Sequence, residues 1–140
     1  MRKMIVNTAG LLWPLPWTLL GLAIGTFCRI GGGRVSLHRG TVVCYGPWLD
    51  GLLRRVPIPG GAAAITLGHV ILARTETEML RSHDHELVHV RQYQRWGPFF
   101  VPAYFMASLW LWWKGRDFYR ENPFEKEAFQ EDSTRIKLRT

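Results

Sequence analysis

The residues of this chain that could do chemistry are concentrated in the segment SHDHELVHVRQYQRW, residues 82–96. His85 and His89 are four positions apart, so on a helix their imidazoles project from one face and can share one tetrahedral metal ion. Glu86 follows the first histidine and is placed to reach a water at the ion's open position, where it can act as a general base. The spacing predicts an HExxH zinc site; the alternative is a polar helix with incidental histidines.

This chemistry requires a helix, and the flanking residues favour one. Thr75 and Glu78 have the spacing of a capping box, which is typical of a helix start. Gly97 followed by Pro98 is a stop signal. The sequence therefore predicts a helix that contains both histidines and ends before residue 97.

Strands are predicted before this helix. Residues 34–46 are typical of two short strands with a bend at Arg39 and Gly40. Residues 65–74, ITLGHVILAR, form a β-branched, apolar run with the length of a buried strand. The predicted class is α+β, with a small sheet packed on the HExxH helix.

Two histidines do not complete a catalytic zinc site, because such a site normally has three protein ligands and a water. No histidine follows His89, which excludes a third histidine six residues later. The remaining candidates are the acids downstream of the helix: Asp117, Glu121, Glu125, Glu127, Glu131 and Asp132. Each of them could equally belong to an ordinary charged helix face.

Three blocks of the chain, in order, resemble the minimal catalytic core of gluzincin-type zinc metallopeptidases. They are the strand ITLGHVIL, the helix HELVHVRQYQRWG and the later NPFEKEAF. They resemble above all small bacterial membrane-associated proteins of uncertain function that carry the same blocks. The resemblance covers roughly residues 65–130. It implies a third ligand that is a glutamate on a later helix, often followed by alanine. Glu127 before Ala128 fits this pattern best, and Glu125 is the reserve.

The resemblance also implies an edge strand beside the helix that pairs with an extended peptide substrate. The residues expected to bind this substrate are Leu67, Gly68, His69 and Val70. Separately, a tyrosine hydroxyl could stabilise the oxyanion that forms when water attacks a peptide carbonyl. Tyr119 is the predicted donor, with Tyr104 and Tyr93 as alternatives, although each could equally be an interfacial aromatic.

Two uncharged stretches suggest contact with a membrane. Residues 4–28 are long enough to cross a bilayer, so residues 1–30 are predicted to be a retained N-terminal anchor, although Pro14 and Pro16 interrupt them. A buried helix of a soluble protein is the alternative. Residues 96–113 have tryptophans at both ends, as in the aromatic belt of a membrane interface. This second stretch is short and contains prolines, so we expect it not to span.

Charge and composition favour an anionic membrane surface as a partner. Lysine and arginine outnumber aspartate and glutamate by 18 to 11, and the chain contains 7 tryptophans. Nucleic acid is not expected as a partner, because the arginines are scattered and no nucleic-acid-binding signature is present.

The combined prediction is an anchor at residues 1–30 followed by a minimal zinc metallopeptidase-like domain at 31–140, which includes the non-spanning segment 96–113. The domain is expected to hydrolyse a peptide or protein substrate beside the bacterial inner membrane. Zn²⁺ would be bound by His85, His89 and Glu127, and Glu86 would activate water. One alternative is a non-catalytic membrane protein that keeps zinc for structure or partner binding. Another is a small membrane scaffold without metal.

Overall fold

The computed structural model describes residues 8–139, which form an α+β arrangement with one small mixed sheet. A short 3₁₀ turn, Gly97–Phe99, separates the fourth and fifth helices. The elements in chain order are α1 (Thr8–Leu12), α2 (Leu15–Ile30), β1 (Arg34–His38), β2 (Thr41–Tyr45), α3 (Pro47–Leu53), β3 (Ala64–Leu67), β4 (Val70–Ala73), α4 (Glu76–Trp96), α5 (Phe100–Trp113) and α6 (Pro123–Arg139).

The sheet has the strand order β1-β2-β4-β3. Antiparallel hairpins join β1 to β2 and β3 to β4, and the two central strands, β2 and β4, run parallel. The first hairpin turns at Arg39 and Gly40, whose φ angles of 48° and 80° are both positive. The predicted bend is therefore at the expected position. β3 lies at an edge of the sheet and contacts α4.

Residues 65–74 do not form the single strand that was predicted; they form the hairpin of β3 and β4. Gly68 and His69 make the turn, and Gly68 has a φ of 61°. A Cβ atom at Gly68 would lie 2.1 Å from Oγ1 of Thr18. The turn lies so close to α2 that position 68 has no room for a side chain, and its positive φ also favours glycine. An apolar run alone does not reveal a turn made by a single glycine.

Helices cover both faces of the sheet. Alternate strand residues point to opposite faces, so each face contributes to its own buried cluster. Cys44 and Leu72 belong to a buried cluster shared with α2 and α3. Val43 and Ile71 belong to a second buried cluster, which includes Met79 of α4. The result is a sheet between α2 and α4, with the histidine-bearing helix on one side.

Glycines allow α2 to approach the sheet closely. A Cβ atom on Gly21 would lie 2.8 Å from Cβ of Val70, and one on Gly25 would lie 2.7 Å from Sγ of Cys44. Both distances are shorter than side chains tolerate, so this face of α2 must be free of side chains at these positions. α2 is thus a sheet-packed helix.

The prediction of a membrane-spanning anchor at residues 1–30 is wrong for the part of it that the structure describes. Pro14 separates α1 from α2, and α2 has 16 residues. Among residues 8–139, no helix is both long enough and apolar enough to cross a bilayer. The finding includes α5, which has 14 residues and forms most of the second apolar stretch. Residues 1–7 of the predicted anchor lie outside the described part.

α4 has the ends that the sequence indicates. The side chain of Thr75 accepts a hydrogen bond from the backbone N–H of Glu78 at 3.2 Å, which caps the first turn. Gly97, with a φ of 58°, follows the last helical residue. α6 packs along α4 after the excursion through α5. The acids of α6 and the histidines of α4 are therefore neighbours.

Candidate metal centre

Three buried side chains from two helices converge in the interior of the protein. His85 and His89 extend from one face of α4, and Glu125 extends toward them from the first turn of α6. The Nε2 atoms of the two histidines are 3.3 Å apart. Oε2 of Glu125 is 3.2 Å from Nε2 of His85, and Oε1 is 3.5 Å from Nε2 of His89. Within residues 8–139 this is the cluster with metal-ligating potential.

These separations can be compared with the requirements of a metal ion. Ligand atoms about 2.0–2.2 Å from a tetrahedral zinc ion are roughly 3.3–3.5 Å from each other. The three distances in the cluster, 3.2, 3.3 and 3.5 Å, are close to this range. Two imidazoles and one carboxylate are also a ligand set found in catalytic zinc sites. The residues present therefore fit a zinc ion in both type and spacing, and they do not exclude another divalent metal.

Glu127, the acid that the resemblance favoured as third ligand, does not lie in this cluster. Its carboxylate accepts hydrogen bonds from Nε2 of Gln92 at 2.8 Å and from Nη2 of Arg95 at 2.6 Å. Residues two positions apart on an α-helix point in directions that differ by about 200°, so Glu125 and Glu127 cannot point toward the same place. The structure brings the reserve candidate, Glu125, to the histidines instead.

The start of α6 explains the position of Glu125. The side-chain oxygen of Asn122 accepts the backbone N–H of Phe124 at 3.0 Å, which caps the helix. The side-chain nitrogen of Asn122 donates to the carbonyl oxygen of Tyr104 at 3.1 Å and to Oγ of Ser108 at 2.8 Å. Asn122 is fully buried. The first turn of α6 is thereby fixed to α5, and Glu125 lies in that turn.

Gln92 determines which nitrogen of His89 is available to bind a metal ion. Nε2 of Gln92 donates to the carbonyl oxygen of Phe124 and to Glu127, so its Oε1 must be the atom that meets His89. Oε1 of Gln92 accepts a hydrogen bond from Nδ1 of His89 at 2.8 Å. In the neutral ring, the Nε2 lone pair of His89 then faces His85. Such an orienting contact is typical of metal-binding histidines.

Tyr104 contacts the carboxylate of Glu125. Its hydroxyl donates to Oε1 of Glu125 at 2.7 Å. Burial raises the pKa of Tyr104, and the charge of Glu125 raises it further, so the hydroxyl keeps its proton and acts as a donor. Tyr104 is therefore a positioning residue for the third candidate ligand.

Glu86, the predicted general base, is buried next to the edge strand. Its Oε2 accepts a hydrogen bond from Oγ1 of Thr66 in β3 at 2.7 Å. The same hydroxyl lies 3.3 Å from the backbone carbonyl of Glu86. Thr66 thus binds one carboxylate oxygen of Glu86, and a single Oε atom remains for other partners.

The cluster contains strong electrostatic coupling. Burial alone would lower the pKa of His89, but hydrogen bonding to Glu125 and the charges of Glu86 and Glu125 outweigh it and raise this pKa. Burial would raise the pKa of Glu125, but hydrogen bonds from His85 and His89 outweigh it and lower this pKa. Without a metal, the negative Glu125 and a positive His89 therefore stabilise each other.

The other predicted site residues lie outside the three-residue cluster. Tyr119 is partly buried, and its ring packs edge-on against Phe129 with centroids 6.3 Å apart. Tyr93 donates its hydroxyl to the backbone carbonyl of Thr66 at 3.2 Å, so this hydroxyl is engaged in the core. Burial raises the pKa of both tyrosines, and nearby carboxylates contribute.

The four predicted substrate-binding residues do not form one extended edge. Leu67 ends β3, Gly68 and His69 form the turn, and Val70 is fully buried in β4. Nδ1 of His69 lies 3.2 Å from Oγ1 of Thr18, and its Nε2 lies 3.2 Å from Nε2 of Gln94. His69 therefore connects the hairpin to α2 and α4. The edge strand is β3, Ala64–Leu67.

Two positioning residues were not identified from the sequence. Thr66 has no local signal, because its contact with Glu86 depends on how β3 packs on α4. Gln92 follows His89 by three positions on a helix, a spacing at which side chains meet, so this contact could have been predicted.

Comparison with known proteins does not place the chain in a family: no family model, no curated protein and no solved structure matches it.

Proposed function

We propose that this protein is a zinc-dependent hydrolase of peptide bonds, with His85, His89 and Glu125 as metal ligands and Glu86 as general base. The observation that carries the proposal is the convergence of the three ligand atoms at separations of 3.2 to 3.5 Å beside a buried carboxylate. Bound zinc would supply Lewis acidity for a carbonyl group and for water.

The chain's own residues supply the proton transfers. Glu86 would accept a proton from the attacking water and later deliver it to the leaving amine nitrogen as the carbon–nitrogen bond breaks. Its hydrogen bond to Thr66 leaves one carboxylate oxygen for this task. Gln92 keeps Nε2 of His89 directed to the metal, and Tyr104 keeps Glu125 in place.

A peptide substrate is proposed because of the position of β3. This strand lies at an edge of the sheet, and Thr66 in it contacts the proposed base. An extended peptide that paired with β3 through its backbone would pass beside Glu86. The resemblance to gluzincin-type peptidases agrees with this arrangement, with Glu125 in place of Glu127.

A Glu86→Gln substitution tests catalysis separately from metal binding. The purified protein, loaded with zinc, is incubated with denatured casein and a peptide mixture, and new amino termini are detected by mass spectrometry. Glu86→Gln should keep the zinc and lose about 10²–10⁴-fold in cleavage rate, because the amide cannot accept the proton. Glu78→Gln on the same helix is the matched control and should cleave normally.

A second candidate function is a metal site without catalysis, used for stability or for binding a partner. The observation that favours it is the low exposure of the four central side chains, between 4% and 9%. A substrate would need a local opening to reach Glu86. A zinc-loaded wild type that cleaves no peptide, and whose Tm falls when the zinc is chelated, would favour this second function.

A further inference from the structure

The outward face of α2 is apolar and largely exposed, although the ring of Phe27 lies 6.5 Å from that of Trp48. Its inner face, with Gly21, Gly25 and Cys28, is buried against the sheet. Large apolar side chains cover the opposite side, including Leu19 at 58% and Phe27 at 63% exposure. Burying large apolar groups is favourable, so an exposed row of them indicates a binding surface.

The outward face of α5 has the same character. Tyr104 and Ser108 form its inner side, where they contact Glu125 and the start of α6. On the outer side Phe105, Met106 and Trp112 have exposures of 65%, 72% and 65%. Large side chains of this kind are unusual on the surface of a monomer unless they contact something.

The two faces adjoin each other. The indole nitrogen of Trp17 in α2 donates to the carbonyl oxygen of Pro98 at 3.2 Å, just before α5 begins. The rings of Trp13 and Phe99, both exposed, are 6.2 Å apart. We call the outward sides of α2 and α5, with these two rings, the apolar surface.

The charges around the apolar surface favour an anionic partner. No aspartate or glutamate occurs between residues 8 and 30 or between residues 97 and 113. Cations mark the C-terminal ends of both helices: Arg29 in α2, and Lys114 after α5, where its ammonium lies 4.7 Å from the ring centre of Trp110. An open depression beside the end of α2 has Arg29 and Arg34 among its lining residues. Such guanidinium groups bind phosphate oxygens well.

We propose that the apolar surface binds an anionic lipid bilayer, with α2 and α5 lying in the headgroup region and no helix crossing the membrane. Tryptophan and phenylalanine side chains would enter the boundary between headgroups and acyl chains, while Arg29, Arg34 and Lys114 would contact lipid phosphates. An acid-free apolar surface with cations at its margin fits an anionic lipid layer better than a second copy of the same positive surface. Tyr104 on the inner side of α5 then places the candidate metal centre close to the lipid.

The test is sedimentation of the full-length protein with vesicles of phosphatidylcholine alone or mixed with phosphatidylglycerol. We expect binding to the mixed vesicles that weakens as salt is added. Leu19→Ser and Trp112→Ser should each reduce vesicle binding about 10-fold. Leu80→Ser is the matched control, since Leu80 is 61% exposed on α4, outside the apolar surface, and this change should leave binding unaltered.

Charge variants separate lipid phosphate from simple apolar adhesion. Arg29→Glu combined with Lys114→Glu should abolish the preference for phosphatidylglycerol, whereas Arg55→Glu, at an exposed position outside the surface, should preserve it. Circular dichroism checks that each variant is folded.

Failure of the wild type to bind the mixed vesicles overturns the proposal. So does a dimer that Leu19→Ser converts to a monomer without any change in vesicle binding, which would assign the surface to a second copy. Neither result bears on zinc binding.

Discussion

The side-chain oxygen of Gln92 accepts a hydrogen bond from Nδ1 of His89 at 2.8 Å, one turn further along the same helix. The contact fixes the ring so that Nε2 faces His85 and Glu125. Gln92 is fully buried and also holds the backbone of α6 through the carbonyl oxygen of Phe124. One side chain thereby orients a candidate ligand and joins the two helices that carry the candidate ligands.

Replacing Gln92 should weaken metal binding without preventing it. Gln92→Met keeps a similar side-chain volume but removes the acceptor for His89, so we expect a zinc dissociation constant about 10–100-fold higher. Competition with a chromophoric chelator measures it. Gln94→Met, on the same helix but bonded to His69, is the control and should bind zinc like the wild type. Equal effects of the two substitutions would mean that Gln92 acts only on the stability of α4.

Tyr104 should have a comparable role toward Glu125. Tyr104→Phe removes the donor to Oε1 while keeping the ring that packs on Phe124, so zinc affinity should fall about 10-fold. Tyr119→Phe is the comparison variant, because Tyr119 is also near the charge of Glu125 but Tyr104 is the tyrosine whose hydroxyl is hydrogen-bonded to it. A larger loss of affinity in Tyr119→Phe would place Tyr119, not Tyr104, next to the metal.

The helix with its two histidines could be predicted from sequence because its signals are local. The spacing of His85 and His89 and the cap at Thr75 depend only on helix geometry. The choice between Glu125 and Glu127 depends on which side of α6 faces α4. That side is set by the burial of Asn122 and Ala128, which is a tertiary property.

The N-terminal stretch was misinterpreted for a related reason. Its apolar composition agrees with a membrane helix. It agrees equally with a helix that packs on a sheet, and the number of uncharged residues does not separate the two. Gly21 and Gly25 are the residues that permit this packing. Glycines are also common in membrane helices, so their presence did not distinguish the two cases.

Thr66 should affect the rate of catalysis and leave the metal in place. Thr66→Val removes the hydrogen bond to Glu86 with little change in volume, so kcat for peptide cleavage should fall about 10-fold while zinc content stays the same. Thr66→Ser keeps the hydroxyl and should restore most of the rate. If Thr66→Val loses zinc, the contact with Glu86 is needed for the fold of the centre, and its proposed role in catalysis is refuted.

Removing the metal should lower thermal stability. If zinc is present at about 100 times its dissociation constant, its binding adds about 2.7 kcal/mol to the free energy of unfolding. Chelation should then lower Tm by about 10 °C in a domain of this size. The Glu125→Ala variant, which lacks one ligand, should show a much smaller effect of the chelator. An unchanged Tm in the chelated wild type would favour a scaffold without metal.

The central claim is that His85, His89 and Glu125 bind one metal ion together. It is tested most directly by elemental analysis of the purified wild type beside Glu125→Ala and Glu127→Ala. We predict about one zinc per chain in the wild type and in Glu127→Ala, and almost none in Glu125→Ala. Full zinc content in Glu125→Ala, or its loss in Glu127→Ala alone, would contradict the account.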